Sequence, residues 1–161
     1  MQKLTILLTT AAMLLLGLNQ AARADEVEGI WLTAAGDAKI RISSCGKALC
    51  GIIVWLKAPI DPATGKPQID DKNTNKALAQ RPIVGINIFN AMRSVADKKW
   101  SGTIYNADDG KTYSSDLQLA GTKKLEVRGC VLAVLCGGET WTRVGPPRSE
   151  EHTSELQSLS V

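Results

Sequence analysis

The chain has 161 residues, and 44% of them are hydrophobic, which is enough for one domain with its own core. Its 19 Lys and Arg residues exceed its 16 Asp and Glu residues by three. These charges are dispersed, without a basic stripe or interleaved aromatic residues, which argues against nucleic acid as a partner.

Residues 1–24 have the pattern of a cleaved secretory signal peptide. Lys3 supplies the positive start, residues 4–18 are mostly apolar, and Ala22-Arg23-Ala24 is a small-x-small cleavage site. The apolar run is shorter than the roughly 20 residues that a membrane span needs. We therefore expect cleavage near Ala24 and a periplasmic or secreted bacterial protein without a membrane span.

The other terminus is also predicted to lie outside the fold. The stretch RSEEHTSELQS at 148–158 matches the in-frame translation of a common short-read sequencing adapter. We expect residues 148–161 to be disordered read-through and residues 25–147 to be a single β-barrel domain; the alternative is a genuine polar tail. His152, the only histidine, lies in this stretch. Without it, Ser-His-Asp and Cys-His catalysis and histidine-based metal sites are excluded, and no cofactor is expected.

The segment that follows the first predicted strand, Val27–Thr33, predicts a β-hairpin. Residues 38–45 alternate strictly between apolar and polar, and residues 50–56 form a β-branched run. A four-residue loop at 46–49 would place Cys45 opposite Cys50 and Ile40 opposite Trp55. Ile40 and Trp55 would then face inward.

Further strands are predicted at 83–89, 100–105 and 112–119, and in a last hairpin that ends at Val144. In that hairpin, Cys130 opposite Cys136 pairs Leu125 with Trp141 and places Trp141 and Arg143 on the inner face. The result is an all-β fold with little helix and about eight antiparallel strands, arranged as an up-and-down barrel.

Four cysteines remain in the mature chain. In an oxidising compartment they predict two disulfides, Cys45–Cys50 and Cys130–Cys136, each at the tip of one hairpin. Their spacings fit a tetrathiolate zinc site poorly.

Gly29 and Trp31 on the first strand and Arg143 on the last form the signature of lipocalin-like, calycin-type barrels. The first and last strands are neighbours in a closed barrel, so Trp31 is expected beneath the guanidinium of Arg143. The alternative is an ordinary buried tryptophan and a surface arginine.

Longer motifs carry a resemblance to a known family. They are GIWLTAAGDAKIRISSCGKALCGIIVWLK, DDKN, RPIVGI, KWSGTIYNADDGKTY, LEVRGC and GGETWTR. Across residues 28–144 the chain resembles the bacterial envelope family catalogued as domain of unknown function 2147. It departs from the family pattern at Asn73-Thr74-Asn75, where Asn-Pro-Asp is usual, and at Thr103, where a second glycine is common. The resemblance implies an exported, single-domain, β-rich protein and no established activity.

Residues 57–81 form a long polar loop with three prolines. A loop of this length in a compact domain is usually functional or mobile. Asp61, Asp70, Asp71 and Asn73 are its candidate docking residues. An EF-hand is excluded because Lys76 and Pro82 occupy the required Gly and Glu positions. A looser calcium site at Asp70, Asp71 and Asn75 remains an alternative to plain turn-forming residues.

Two non-enzymatic functions remain open, and an enzyme is the least favoured third class because the sequence has no recognisable set of acid, base and nucleophile. In one, the barrel holds a small apolar or amphipathic ligand against Trp55, Tyr105, Tyr113, Ser115 and Trp141, with room left by Gly102, Ser115 and Gly129. In the other, the barrel is filled and the 57–81 loop docks on an envelope protein, for example as a hydrolase inhibitor. An interior void of at least a few hundred Å³ would favour the ligand. Asp108 and Asp109, in a turn, are expected to be solvated rather than catalytic.

Overall fold

The computed structural model describes residues 26–131 and 135–146. Eight antiparallel strands close into a barrel, and each strand pairs with the next in sequence before β8 returns to β1. The strands are β1 Gly29–Leu32, β2 Ala38–Cys45, β3 Ala48–Leu56, β4 Phe89–Ala96, β5 Lys99–Asn106, β6 Lys111–Ala120, β7 Lys124–Val131 and β8 Leu135–Gly145. The predicted eight-stranded up-and-down barrel is confirmed. The predictions for residues 1–24 and 148–161 lie outside the described residues.

Alternation of apolar and polar side chains builds this barrel. Ile40 and Ile42 of β2 are buried, as are Leu117 and Leu119 of β6, while the residues between them lie nearer the surface. Period-2 alternation sends one set of side chains inward and the other outward. Among the described residues, no helix is long and apolar enough to cross a membrane.

The predicted register of the first hairpin is wrong by two residues. The turn contains only Gly46 and Lys47, so Cys45 pairs with Ala48. Gly46 has a φ of 68°, the left-handed conformation that a tight two-residue turn favours. The first hairpin therefore has a two-residue turn in place of the predicted four-residue loop.

A bulge in β3 then reverses the orientation of Trp55. Ile40 pairs with Ile53, but Lys39 pairs with Trp55, so Val54 is an extra residue in the ladder. Trp55 is therefore 39% exposed, with the Lys39 ammonium 4.7 Å from its ring centroid. The prediction that Trp55 lines the interior is wrong. A continuous apolar run carries no alternation that would reveal a bulge.

The fourth strand is also displaced from its prediction. It covers Phe89–Ala96 rather than 83–89. Its pairing with β5 shifts register twice, and Ala91 has a φ of 49°, so its sequence shows no clean alternation. The 83–88 run instead bonds to β3 without forming a strand, as Ile53 N donates to Ile86 O at 3.0 Å.

The last hairpin has the predicted register. Cys130 pairs with Cys136 and Leu125 with Trp141. Both cysteine pairs lie at disulfide distance, with S–S separations of 2.06 Å for Cys45–Cys50 and 2.10 Å for Cys130–Cys136. The two hairpin tips lie at opposite ends of the barrel, so each end carries one disulfide.

Trp31 and Arg143 close one end of the barrel, which we call the closed end. Trp31 is fully buried, and the Arg143 guanidinium carbon lies 4.3 Å from its ring centroid, which confirms the predicted stacking. The Trp31 Nε1–H donates to Val27 O at 2.9 Å. Arg143 donates to the backbone carbonyls of Thr122, Glu26 and Glu28. One arginine thereby ties the N-terminal segment to the β6–β7 turn.

Candidate functional site

The opposite end of the barrel, the open end, contains a cavity of about 950 Å³. Residues from the β1–β2 loop, the 57–88 segment, the β5–β6 turn and the β7–β8 hairpin surround its mouth. The volume is that of a small-molecule site. The barrel therefore has a cavity at the end opposite Trp31 and Arg143.

The inner wall of the cavity is apolar. It is formed by Ile40, Ile53, Ile88, Ile104, Val127 and Trp141. Trp141 is only 2% exposed and stacks on Phe89 with ring centroids 6.0 Å apart. The stacked pair makes this part of the apolar wall rigid.

Glycines on β7 and β8 leave the room that the cavity occupies. Gly129 and Gly137 pair directly and both line the cavity. A Cβ added at Gly137 would meet nothing within 4 Å, and one at Gly129 would meet only the Tyr113 Cβ at 3.9 Å. Gly102 behaves differently, since a Cβ there would lie 2.7 Å from Asn90 O. The backbone of β4 has filled that space.

Sequence reasoning missed Gly137, although the signal was present. Residues 137, 139 and 141 share a face of β8, and the sequence predicts that Trp141 faces inward. The same alternation places Glu139 on the inner wall, opposite Val127. Its carboxylate accepts a hydrogen bond from the Trp141 Nε1–H.

Tyr113 lines the cavity near its mouth, and its hydroxyl donates to the Asp109 carboxylate. This hydrogen bond raises the pKa of Tyr113 and lowers the pKa of Asp109. Both shifts favour the neutral phenol and the ionised carboxylate.

A group of four polar residues, here called the polar clamp, fastens the long loop to the barrel. Asp70 is fully buried and accepts hydrogen bonds from Tyr105 Oη at 2.5 Å, Asn73 Nδ2 at 2.8 Å and Arg81 Nε at 3.0 Å. Arg81 adds a second contact through Nη2 at 2.9 Å. Burial raises the pKa of Tyr105, and the hydrogen bond and charge of Asp70 raise it further.

The loop also rests on the β5–β6 turn. Gly110 has a φ of 70°, a left-handed conformation that glycine adopts readily, and a Cβ there would overlap the carbonyl oxygen of Lys72. Lys57, Ala58 and Gln68 from the loop line the cavity. The clamped loop is therefore one wall of the cavity.

The structure brings three of the five candidate lining residues together at the cavity: Tyr105, Tyr113 and Trp141. Ser115 is 3% exposed and pairs with Gly129, but it lies outside the cavity lining. Its hydroxyl has no hydrogen-bond partner among the described residues. Trp55 is on the outer surface.

The four candidate docking residues divide into two pairs. Asp61 is half-buried and accepts a hydrogen bond from Ala63 N at 2.8 Å, whereas Asp71 is exposed and pairs with Lys72 at 3.1 Å. Asp70 and Asn73 belong to the polar clamp, so their side chains face the protein.

The alternative calcium site at Asp70, Asp71 and Asn75 is wrong, because the Asp70 carboxylate is already paired with the Arg81 guanidinium. Nowhere in residues 26–131 and 135–146 do three or more His, Cys, Asp and Glu residues form a group that could hold a metal ion.

Comparisons with known proteins agree with this architecture. The family model described as "Uncharacterized protein conserved in bacteria (DUF2147)" matches residues 29–143. Among solved structures, protein HP1028 from Helicobacter pylori, described as belonging to the lipocalin family, superposes with a TM-score of 0.62 at 20% sequence identity. The match covers 81% of this chain and 88% of that one. No curated protein sequence matches.

Proposed function

This chain belongs to the family of uncharacterised bacterial proteins DUF2147, and we propose that it is a non-enzymatic, exported binding protein. Its ligand is a small amphipathic molecule held in the cavity at the open end of the barrel. The apolar part of the ligand contacts Trp141 and the isoleucine wall, and its polar part lies near the mouth.

The observation that carries the proposal is the cavity itself. An eight-stranded barrel is at the size where side chains either fill the interior or leave space for one small ligand. In this barrel the cavity has a volume of about 950 Å³. Larger side chains at Gly129 and Gly137 would reduce that volume, and no backbone atom lies within 4 Å of a Cβ at either position to prevent them. The fold that this barrel shares with a lipocalin-family structure is compatible with the same use.

Docking through the 57–81 loop has less support. Two of its four candidate residues, Asp70 and Asn73, are engaged in the polar clamp. The loop contributes Lys57, Ala58 and Gln68 to the cavity lining, which suits a wall of the binding site.

Binding of the neutral fluorescent probe N-phenyl-1-naphthylamine tests the proposal. We expect its emission to rise when the purified chain is added, and we expect Gly137→Trp to abolish that rise by filling the cavity. Native mass spectrometry of protein purified from its own cell envelope should show an extra mass that unfolding releases.

The matched control is Thr140→Trp, which adds the same side chain to an exposed position of the same strand. Circular dichroism and thermal unfolding establish that both variants are folded. Equal probe binding by Gly137→Trp and the unmodified chain would contradict the proposal. So would the absence of probe binding together with a native mass equal to that of the bare disulfide-bonded chain.

A further inference from the structure

Glu139 is a charged residue on an otherwise apolar wall. Its cross-strand partner Val127 and its neighbour on the same face, Trp141, are both almost fully buried. Glu139 itself is exposed, although it faces inward, because the cavity opens to solvent. The Trp141 Nε1–H occupies one of its acceptor sites. A carboxylate has about four such sites, so it can accept further hydrogen bonds.

The charge of the cavity lining is opposite to that of the chain. The chain carries a formal charge of +3. Among the described residues, the lining contains three carboxylates, Asp37, Asp108 and Glu139, and one cation, Lys57. Three negative charges and one positive charge give a net −2. Asp37 and Asp108 lie in loops at the mouth, whereas Glu139 alone projects from a strand of the barrel wall.

From this arrangement we infer that the cavity selects amphiphiles with a positively charged head, such as a primary amine, and that Glu139 recognises that head. The inference rests on the proposed binding function and specifies its ligand. A neutral apolar ligand would remove water from the Glu139 carboxylate without replacing its hydrogen bonds, which is unfavourable. A carboxylate ligand would add like-charge repulsion. An ammonium group supplies both a donor and the complementary charge.

Competition among three probes of equal chain length tests the inference. Decylamine, decanol and decanoate each displace N-phenyl-1-naphthylamine from the full chain at neutral pH and low salt. We expect decylammonium to displace it at the lowest concentration and decanoate at the highest. Glu139→Gln should weaken decylammonium by roughly three- to tenfold, the scale of a partly solvated ion pair, and should not weaken decanol. Added salt should reduce the preference in the unmodified chain.

Two variants make the result specific. Glu126→Gln removes the same charge from the outer face of the neighbouring strand β7 and should leave all three probes unaffected. Asp108→Asn neutralises a carboxylate at the mouth and should weaken decylammonium less than Glu139→Gln does. Gln at 139 can still accept the Trp141 hydrogen bond, so the fold of that variant should be preserved.

The outcomes separate the inference from the function on which it rests. Equal displacement by all three probes, or the same loss for all three in Glu139→Gln, overturns the charge selection and leaves ligand binding standing. Failure of N-phenyl-1-naphthylamine itself to bind overturns both. If Glu126→Gln reduced the preference for decylammonium as much as Glu139→Gln does, the preference would come from general surface charge. That result would also overturn the inference.

Discussion

The two ends of this barrel are built from the same alternating strands but differ in what those strands place inside. At the closed end, Trp31 is fully buried beneath the Arg143 guanidinium. At the open end, Gly129 and Gly137 face each other across β7 and β8 and leave space. The difference teaches that closure of a small barrel does not determine whether it is filled; the side-chain volumes at each end do.

The two ends also use polar groups differently. Arg143 at the closed end donates to backbone carbonyls and thereby joins separate segments. At the open end, the polar clamp fixes the long loop, while Glu139 and Asp108 remain accessible at the cavity. We therefore expect changes at the closed end to affect stability and changes at the open end to affect binding as well.

The largest expected effect comes from two tryptophans. Trp31→Ala should lower the free energy of unfolding by about 3–5 kcal/mol, because it removes a fully buried ring and leaves a cavity. Trp55→Ala, on the outer surface, should cost about 1 kcal/mol or less. Urea unfolding of both variants measures the difference. Similar losses in the two variants would mean that Trp55 is packed inside, as its predicted pairing with Ile40 requires.

This pair of tryptophans also shows what the sequence could and could not predict. Strand alternation was sufficient for the barrel and the last hairpin, and the Gly29-x-Trp31 signature offered the stacking of Arg143 on Trp31 as one of two alternatives. The side on which Trp55 lies depends on one extra residue, Val54. A bulge in a continuous apolar run leaves no period-2 signal, so the orientation could not be read.

The candidate site was only partly predictable for a related reason. Trp141 could be placed at the cavity from its strand face, and Tyr105 and Tyr113 from their positions at the ends of their strands. The burial of Asp70 could not be predicted from the sequence, because it depends on Tyr105 and Arg81, which are distant in sequence. A loop aspartate is normally solvated, and only the tertiary fold brings three donors to it.

The second prediction concerns the polar clamp. Asp70→Asn removes a buried charge that three side chains share, so we expect a loss of about 2–3 kcal/mol in unfolding free energy. Asp71→Asn, at the next position, alters an exposed pair with Lys72 and should change stability by less than about 0.5 kcal/mol. Hydrogen exchange should show faster exchange of the 57–81 amides in Asp70→Asn alone. Unchanged exchange there would contradict the clamp.

The disulfides offer a direct comparison of the two ends. Their loops are short, so replacing either pair by serines should cost roughly 2 kcal/mol. Only the Cys130/Cys136 variant should also weaken probe binding, since that hairpin carries Gly129 and Gly137. Non-reducing peptide mapping must first recover Cys45–Cys50 and Cys130–Cys136. A peptide that links the first hairpin to the last would contradict both assignments.

The smallest and most local effect is expected in the ionisation of Tyr105. The chain has only two tyrosines, so Tyr113→Phe leaves Tyr105 as the sole phenol that titrates. Burial first, and then Asp70, hold the pKa of Tyr105 above its ordinary value of about 10. In the Tyr113→Phe background, Asp70→Asn should move the phenolate absorbance midpoint downward while burial keeps it above that value.

The same shift predicts how stability depends on pH. A raised folded-state pKa means that the native chain holds the Tyr105 proton more tightly than the unfolded chain. Stability is therefore fully present below about pH 10 and is lost as the pH rises towards the folded-state pKa. Tyr105→Phe in the Tyr113→Phe background should abolish this part of the alkaline loss, although it also removes the hydrogen bond to Asp70 at all pH values. A Tyr105 midpoint that Asp70→Asn leaves in place would mean that burial alone governs the phenol and that the Asp70 contact does not persist in solution.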